Sequence, residues 1–424
     1  MTGGDRRQVA VIGSGVSGLT AAHLLQRRHD VTLFESDDRL GGHAHTHDLP
    51  TPDGRVTQVD SGFIVHNDRT YPTLLRLFGE LGVTTRDTEM SMSVRCDGCG
   101  LEYAGARGLL GVFAQPASLR RPRYLRMLVE IQRFFLHARR VLRAPESADF
   151  PLSAFVTVGG YSRYFVDHYL IPVVSAVWSA GAELSMRYPA RYLFRFLDHH
   201  GMLAVSGSPQ WRTVVGGSRT YVDLVAKQLT SVSVSTPVRE VRRGADRVEV
   251  RDDADRVREF RHVVVATHPD QALRLLAEPT AAERDVLGAI DYSTNETLLH
   301  TDTSVLPRAE RARASWNYLK PACDSGDGPV RVSYHMNRLM GLAEPEDYVV
   351  TLNSHERVAP DRVLRRMVYQ HPIYTPESLA AQRRLPELND GTLAYAGAYH
   401  GWGFHEDGCL SGVRAAESLG CGRR

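Results

Sequence analysis

A chain of 424 residues is too long for one ordinary hydrophobic core, so two domains are expected. Its 42% hydrophobic and 24% charged content is that of a globular chain, and a net charge of +2 gives nucleic acid no global attraction. Five cysteines (Cys96, Cys99, Cys323, Cys409 and Cys421) are too few, and odd in number, for a disulfide framework, which fits a reducing cytosol.

Met1–Arg7 is polar and the apolar run after it is soon broken by glycines, so no secretory signal is read there. Gln8-Val-Ala-Val-Ile12 predicts a short buried parallel strand. Gly13-Ser-Gly15-Val-Ser-Gly18 follows, then a helix through about Arg27 with Leu19, Ala22 and Leu25 at helical spacing. Asp30-Val-Thr-Leu-Phe34 predicts a second strand that ends on Glu35. This is a dinucleotide-binding pattern with a mechanism. Gly13 permits the tight turn, Gly15 lets backbone approach a pyrophosphate, and Gly18 lets helix and strand pack closely. The helix start at Val16 and Ser17 offers free N–H groups and a positive dipole end to phosphate. Glu35 is placed to accept from a ribose 2′-hydroxyl and would repel a 2′-phosphate, which disfavours NADP.

NAD and FAD remain, and the next residues choose between them. Arg39-Leu-Gly-Gly42, directly after Glu35-Ser36, resembles the extended motif of the flavin-containing amine oxidase superfamily, which includes protoporphyrinogen oxidases and phytoene desaturases. The resemblance implies non-covalent FAD, with Arg39, Gly41 and Gly42 wrapping the flavin side and His43 in a loop near the pyrophosphate. His43, His45 and His47 alternate, but no carboxylate or cysteine set accompanies them, so no metal is read there. Asp60-Ser-Gly-Phe-Ile-Val-His-Asn67 with Thr70-Tyr-Pro72 resembles the segment passing the isoalloxazine ring; Ser61, Gly62 and Phe63 would lie there, with Gly62 admitting close backbone approach to the ring.

Cys96-Asp-Gly-Cys99 has metal-knuckle spacing, but a zinc site needs two more ligands and no second pair follows, so a hairpin tip is the reading. Leu119–Arg143 predicts an amphipathic helix with Tyr124, Leu128, Ile131, Phe135, Ala138 and Leu142 on its apolar face. It carries eight arginines against the single acid Glu130. Packing on its own domain is the simpler expectation; docking on an anionic membrane is the alternative. The apolar stretch around Tyr169–Ala182 contains Pro172 and is too short to span a bilayer. The localisation expected is thus cytoplasmic, with peripheral membrane contact through 119–143 if the helix docks.

Val215-Gly-Gly-Ser218 precedes a helix with Tyr221, Leu224, Val225 and Leu229. Val238, Val241, Val248 and Val250 alternate as in a hairpin, and His262-Val-Val-Val-Ala-Thr267 reads as a buried strand. The resemblance implies that the backbone at Val238 meets adenine and that Thr267 closes the nucleotide fold. Amine oxidases of the superfamily usually carry a lysine that holds a water beside the flavin. The matching stretch, Tyr292–Asp302, has none; Asn295 or Glu296 falls nearest, and Lys320 does not match. At the C-terminus, Leu393-Ala-Tyr-Ala-Gly397-Ala398-Tyr399-His400 and Gly401-Trp-Gly-Phe-His405-Glu406-Asp407-Gly408 resemble the closing motif, whose helix aims its N-terminus at the flavin. Asp407 is placed to cap that helix, and His405, Glu406 and Asp407 are not read as a metal set.

The expectation is therefore an α/β (α+β) fold: a Rossmann-like FAD-binding domain of the glutathione-reductase type, from 1–75, 205–290 and 390–424, plus a mixed sheet-and-helix substrate domain from 76–204 and 291–389. Blocks such as Ala176-Val-Trp-Ser179, Trp316-Asn-Tyr318, Tyr334-His-Met-Asn337 and Thr351-Leu-Asn353 resemble a bacterial subgroup associated with cyclopropane-fatty-acid-synthase-like methyltransferases. That resemblance implies an FAD-dependent dehydrogenase, oxidase or desaturase on an unsaturated or methylated lipid acyl chain, with a methyltransferase as partner. Tyr334, Asn337, Tyr399 and Trp402 are its candidate catalytic residues. An amine oxidase and a flavin-binding accessory subunit of a lipid methyltransferase are the alternatives. No second glycine fingerprint follows a strand, so a bound NAD(P)H domain is not expected.

Overall fold

A computed structural model describes residues 6–145, 150–204, 207–324, 328 and 330–420; Cys421 lies outside them. The chain divides into two compact units, each built from separated segments. The first comprises Met1–Arg86, Val214–Asp291 and Glu377–Arg424, the second Asp87–Thr213 and Tyr292–Pro376.

The first unit is built around a five-stranded parallel sheet in the order Ser231–Ser233, Asp30–Phe34, Gln8–Ile12, His262–Val265, Leu393–Tyr395. Its central strands are continuous apolar runs because both faces are covered; Val9, Val11, Val263 and Val264 are fully buried. The helix Val16–Gln26 crosses the closing helix His405–Ser418 at close range. A Cβ at Gly412 would lie 2.3 Å from the Ser17 carbonyl oxygen, and one at Gly408 would lie 2.6 Å from Val16. Small residues at that crossing are what let the two backbones meet. An antiparallel sheet, Val238–Arg243, Val248–Asp252 and Val257–Phe260, confirms the alternation read from the valines.

The bounds of the first unit differ from those expected: its middle segment starts at Val214 rather than at 205, and at its other ends it extends further. It takes in the helix Pro72–Leu81, whose Leu74, Leu77 and Phe78 are buried, and its last segment starts at Glu377. Amphipathic spacing alone does not say which core a helix joins.

The second unit holds a seven-stranded mixed sheet in the order Val363–Pro372, Tyr292–His300, Val349–Leu352, Val332–His335, Trp316–Lys320, Met92–Cys96, Leu101–Gly105. Helices including Pro122–Arg143, Leu152–Gly159, Ile171–Trp178 and Ala190–His199 belong to it. Phe134 anchors their core, with ring contacts to Phe155, Tyr161, Phe165, Tyr169 and Phe194. Cys96 and Leu101 close the hairpin of Met92–Cys96 and Leu101–Gly105, so the Cys96–Cys99 tetrad does form a hairpin tip.

The arginine-rich helix starts at Pro122, after a 3₁₀ turn over Pro116–Arg120. Its buried side is Tyr124, Met127, Ile131, Phe134 and Ala138. The expected Leu128, Phe135 and Leu142 are only half-buried. Apolar residues on two faces made the stripe ambiguous, and packing around Phe134 selects one. Leu125, Val129 and Leu136 are exposed on the opposite face. Among the described residues no helix is long and apolar enough to cross a membrane.

Candidate functional site: a dinucleotide cradle

The turn after the first strand is shaped by sterics that only glycine meets. Gly13 has φ 99°, and a Cβ there would lie 2.8 Å from the Ala266 carbonyl oxygen. A Cβ at Gly18 would lie 1.9 Å from the Gly13 carbonyl oxygen. Gly15 is the contrast: nothing stands within 4 Å of its would-be Cβ. Gly15 is also the N-cap of Val16–Gln26 and brings no side-chain acceptor to the first turn. The turn thus combines an open backbone edge with N–H donors at the positive end of a helix, the features a pyrophosphate requires.

Glu35, at the end of the second strand, lies beside this turn. One carboxylate oxygen accepts from the Ser14 amide at 2.9 Å and its hydroxyl at 2.5 Å; the other accepts from Ser36 Oγ and the Asp37 amide. The Thr236 amide donates to the Glu35 carbonyl at 2.8 Å, which brings the loop leading to Val238 alongside. Thr267 lies at the end of the neighbouring strand, its amide nitrogen 3.4 Å from a Cβ built on Gly13. The Arg39–Gly42 loop folds over the turn. The Gly41 amide donates to Ser14 Oγ at 3.0 Å, and a Cβ on Gly42 would lie 3.2 Å from Gly15 Cα. The Arg39 guanidinium contacts the Leu40 carbonyl at 3.5 Å.

Other expected residues make contacts within the protein. Gly62 makes its close approach to protein: its Cβ would lie 2.1 Å from the His43 carbonyl oxygen, to which the Phe63 amide donates at 2.7 Å. Phe63 stacks on His405, ring centroids 3.6 Å apart, and His405 Nε2 lies 3.1 Å from the Tyr221 hydroxyl. Burial pushes His405 down to about 3, so its ring is neutral at physiological pH. Ser61 Oγ lies 2.8 Å from His47 Nε2. Glu406 turns away to cap another helix, accepting from the Thr73 and Leu74 amides at 2.9–3.1 Å. Asp407 accepts from the Phe404 amide at 3.0 Å and so caps its own helix; burial raises its carboxyl to about 7.

No local pattern pointed to a role for the Asp60 carboxylate. It is buried and accepts from Thr46 Oγ1, the Ser218 amide and Ser218 Oγ, at 2.5–3.0 Å. It ties the Val215–Ser218 turn to the strand pair Thr46–Pro50 and Val56–Asp60, and burial raises its carboxyl to about 6.

The four candidate catalytic residues divide between the units. In the first, the Tyr399 ring packs on Gly397, whose amide donates to Ser411 Oγ, and Ala398 sits beside Gly408. The Tyr399 hydroxyl is buried with no hydrogen-bond partner among the described residues. Trp402 is half-buried in the loop before the closing helix. A buried orphan hydroxyl, an open glycine edge and a helix start without a side-chain cap together fit an FAD cradle.

In the second unit, Asn337 is spent on structure. Its amide donates to the Glu344 and Glu346 carbonyls and its oxygen accepts from the Tyr348 amide, so both of its polar atoms hold the 344–348 loop. Tyr334 meets Trp316 edge to face at 5.3 Å. With Met92 and Tyr318 they form a half-buried wall over Ala176, Val330 and Val332. Asn295 points inward, bonded to Asn353 and His371, whereas Glu296 is exposed and pairs with His355.

The family described as flavin containing amine oxidoreductase matches residues 16–419, nearly the whole chain. The protein belongs to that family. Its cofactor is accordingly non-covalent FAD, and it is an FAD-dependent, amine oxidase-like oxidoreductase. AofH of Mycobacterium tuberculosis, named for a flavin-containing monoamine oxidase, is 28% identical over 291 residues, 64% of this chain and 59% of its own length. The curated relatives are thus matched over three fifths of their length or less. Among solved structures, cyclohexylamine oxidase from Brevibacterium oxydans IH-35A superposes with TM-score 0.68 at 15% identity, covering 98% of this chain and 99% of that one. A fatty acid isomerase from P. acnes, described as producing CLA, superposes with TM-score 0.66 at 16% identity, covering 96% and 97%. At such identities the likeness is one of fold.

Proposed function

We propose that the protein is an oxidoreductase acting on an unsaturated or methylated lipid acyl chain taken from a membrane surface. The observation that carries this reading is the outward face of the helix Pro122–Arg143. Leu125, Val129 and Leu136 project within about 40° of one another around the helix axis, opposite the buried side. All three are exposed, at 38%, 69% and 66%, and exposed Arg126, Arg140 and Arg143 accompany them. Leucines that dip and arginines that meet phosphate suit an anionic interface. The wall of Met92, Trp316, Tyr318 and Tyr334 would suit an apolar chain, since it carries no charge. The fatty acid isomerase shows that this fold accommodates such a substrate elsewhere.

FAD, when bound, would supply two-electron redox chemistry. The chain's own part is to exclude water and orient the substrate. Amine oxidation is the second reading, favoured by the names of AofH and the cyclohexylamine oxidase. Asn295, engaged by Asn353 and His371 in the stretch where the resemblance implies a lysine, argues against it. The methyltransferase partnership would make the protein a neighbour of the enzyme that methylates the same chain.

Anaerobic mixing with a phospholipid extract, and separately with a panel of amines, tests the proposal through oxidised-flavin absorbance. Bleaching by lipid alone is expected; bleaching by amines alone overturns it. Arg140→Glu is expected to reduce sedimentation with anionic vesicles, as is added salt.

A further inference from the structure

Cys96 and Cys99 supply half of a zinc ligand set by sequence, and the fold brings the other half from far away. Lys320 is paired in register with Cys96 on the adjacent parallel strand. That pairing carries Cys323, three residues on, to the hairpin tip. Cys96 Sγ and Cys323 Sγ are 3.9 Å apart. From another side, His168 presents Nε2 at 3.5 Å from Cys99 Sγ. The four ligand atoms all lie within 4.8 Å of one another.

These distances fit one ion. A tetrahedral zinc with bonds of about 2.3 Å to sulfur and about 2.0 Å to nitrogen has S···S edges near 3.8 Å and S···N edges near 3.5 Å. They do not fit a disulfide, whose sulfurs stand about 2.0 Å apart. A polynuclear iron–sulfur cluster would spread its ligand atoms further than this set allows.

The surroundings are shaped for the same purpose. A Cβ on Gly98 would lie 2.8 Å from the Cys323 amide nitrogen, so glycine at the tip is what admits the third ligand's backbone. Gly100, just after Cys99, has φ 65°, and its amide donates to the Cys96 carbonyl at 2.9 Å, which closes the knuckle. His168 sits in a π-helical turn, Val166–Leu170, a local widening that often serves to aim a functional side chain. Its Nδ1 lies 3.2 Å from the Tyr164 carbonyl, an outer partner that leaves Nε2 for a metal, and Tyr164 stacks on its ring at 4.0 Å. Three thiolates and one zinc leave one negative charge, and the buried Lys320 stands beside Cys96 to balance it.

We propose that Cys96, Cys99, His168 and Cys323 bind a structural zinc ion. With four protein ligands the site is closed, so its role is to staple the hairpin tip, the 163–170 turn and the segment after Trp316–Lys320.

The test uses the full-length flavoprotein, produced in zinc-supplemented medium and purified without chelator. Elemental analysis should find about one zinc per chain, and Cys99→Ser or Cys323→Ser should lower it at least tenfold, about the loss expected for a removed ligand, while flavin content stays constant. Protein produced with cobalt should show the thiolate-to-metal and ligand-field bands of tetrahedral cobalt. That readout needs only the wild type, so it stands even if the variants fail to fold. Wild-type protein without zinc, whose three thiols react freely in the native state, would overturn the proposal, as would stoichiometric iron in zinc's place.

Discussion

The phosphate turn at Gly13–Gly18 and the cysteine–histidine cluster of the second unit are both constrained by glycine, but they are encoded at different distances. Gly18 makes room for the carbonyl of Gly13, five residues away. Gly98 makes room for the amide of Cys323, more than two hundred residues away. The first site can be read from one stretch of chain because strand, turn, helix and acid follow in order. The second is invisible until a sheet register puts Lys320 beside Cys96. The difference lies in which interactions position the groups, local turns or long-range pairing.

The largest effect is expected within the turn. Gly18→Val places carbon where the Gly13 carbonyl stands, so the helix must leave the strand. Loss of nearly all bound flavin is expected, read as the ratio of flavin to protein absorbance. Gly15→Ala meets no atom of the protein, so it should leave thermal stability of the flavin-free protein unchanged and weaken only cofactor uptake. If both variants lose stability equally, Gly15 is there for folding and the open edge is not a binding edge.

Much of the first unit was legible in this local sense. The strands Gln8–Ile12, Asp30–Phe34 and His262–Val265 lie where apolar runs placed them, and the glycine turn has the stereochemistry its spacing implied. Roles set by long-range partners were not legible. Gly62 packs on His43, Asn337 serves the 344–348 loop, and Glu406 caps a helix 332 residues earlier in the chain. The buried face of Pro122–Arg143 was legible in part: Tyr124, Ile131 and Ala138 are buried as expected, but Met127 and Phe134 are buried where Leu128 and Phe135 were expected, because two overlapping apolar stripes compete on one helix and the ring cluster around Phe134 decides between them.

Asp60 extends the comparison to an intermediate case, since it holds Ser218 from 158 residues away. Burial raises its carboxyl to about 6, above an unfolded value near 4. The folded state therefore binds the proton more tightly, and this group's favourable contribution, complete at low pH, is lost as pH rises through about 6. Asp60→Asn has no proton to lose. Between about pH 4 and pH 7 the unfolding free energy of the wild type, taken relative to the variant, should fall by ~2 kcal/mol, because each tenfold difference in proton affinity between the two states is worth about 1.4 kcal/mol and the unfolded carboxyl is already half ionised at about pH 4. Denaturant titrations at both pH values measure it. A difference that does not change with pH would mean that Asp60 keeps an ordinary carboxyl and that the Ser218 turn is held by other means.

The smallest effect discriminates most directly between a cofactor contact and a long-range cap. Pro72–Leu81 begins at Tyr71, which brings no side-chain acceptor, so its first amides depend on Glu406. Glu406→Gln keeps an acceptor of the same shape but removes the charge that faces the helix dipole. The expected cost is about 1 kcal/mol, because a carboxylate at a partly buried helix N-terminus contributes on that order. Flavin affinity and the flavin spectrum should not change, since both carboxylate oxygens already face Thr73 and Leu74. Unchanged stability with weakened flavin binding would reverse the assignment, making Glu406 a cofactor ligand as its place in the closing motif implied. The residue sits in the stretch that resembles the closing motif, yet what it holds in this fold is the start of a helix that the sequence places near the opposite end.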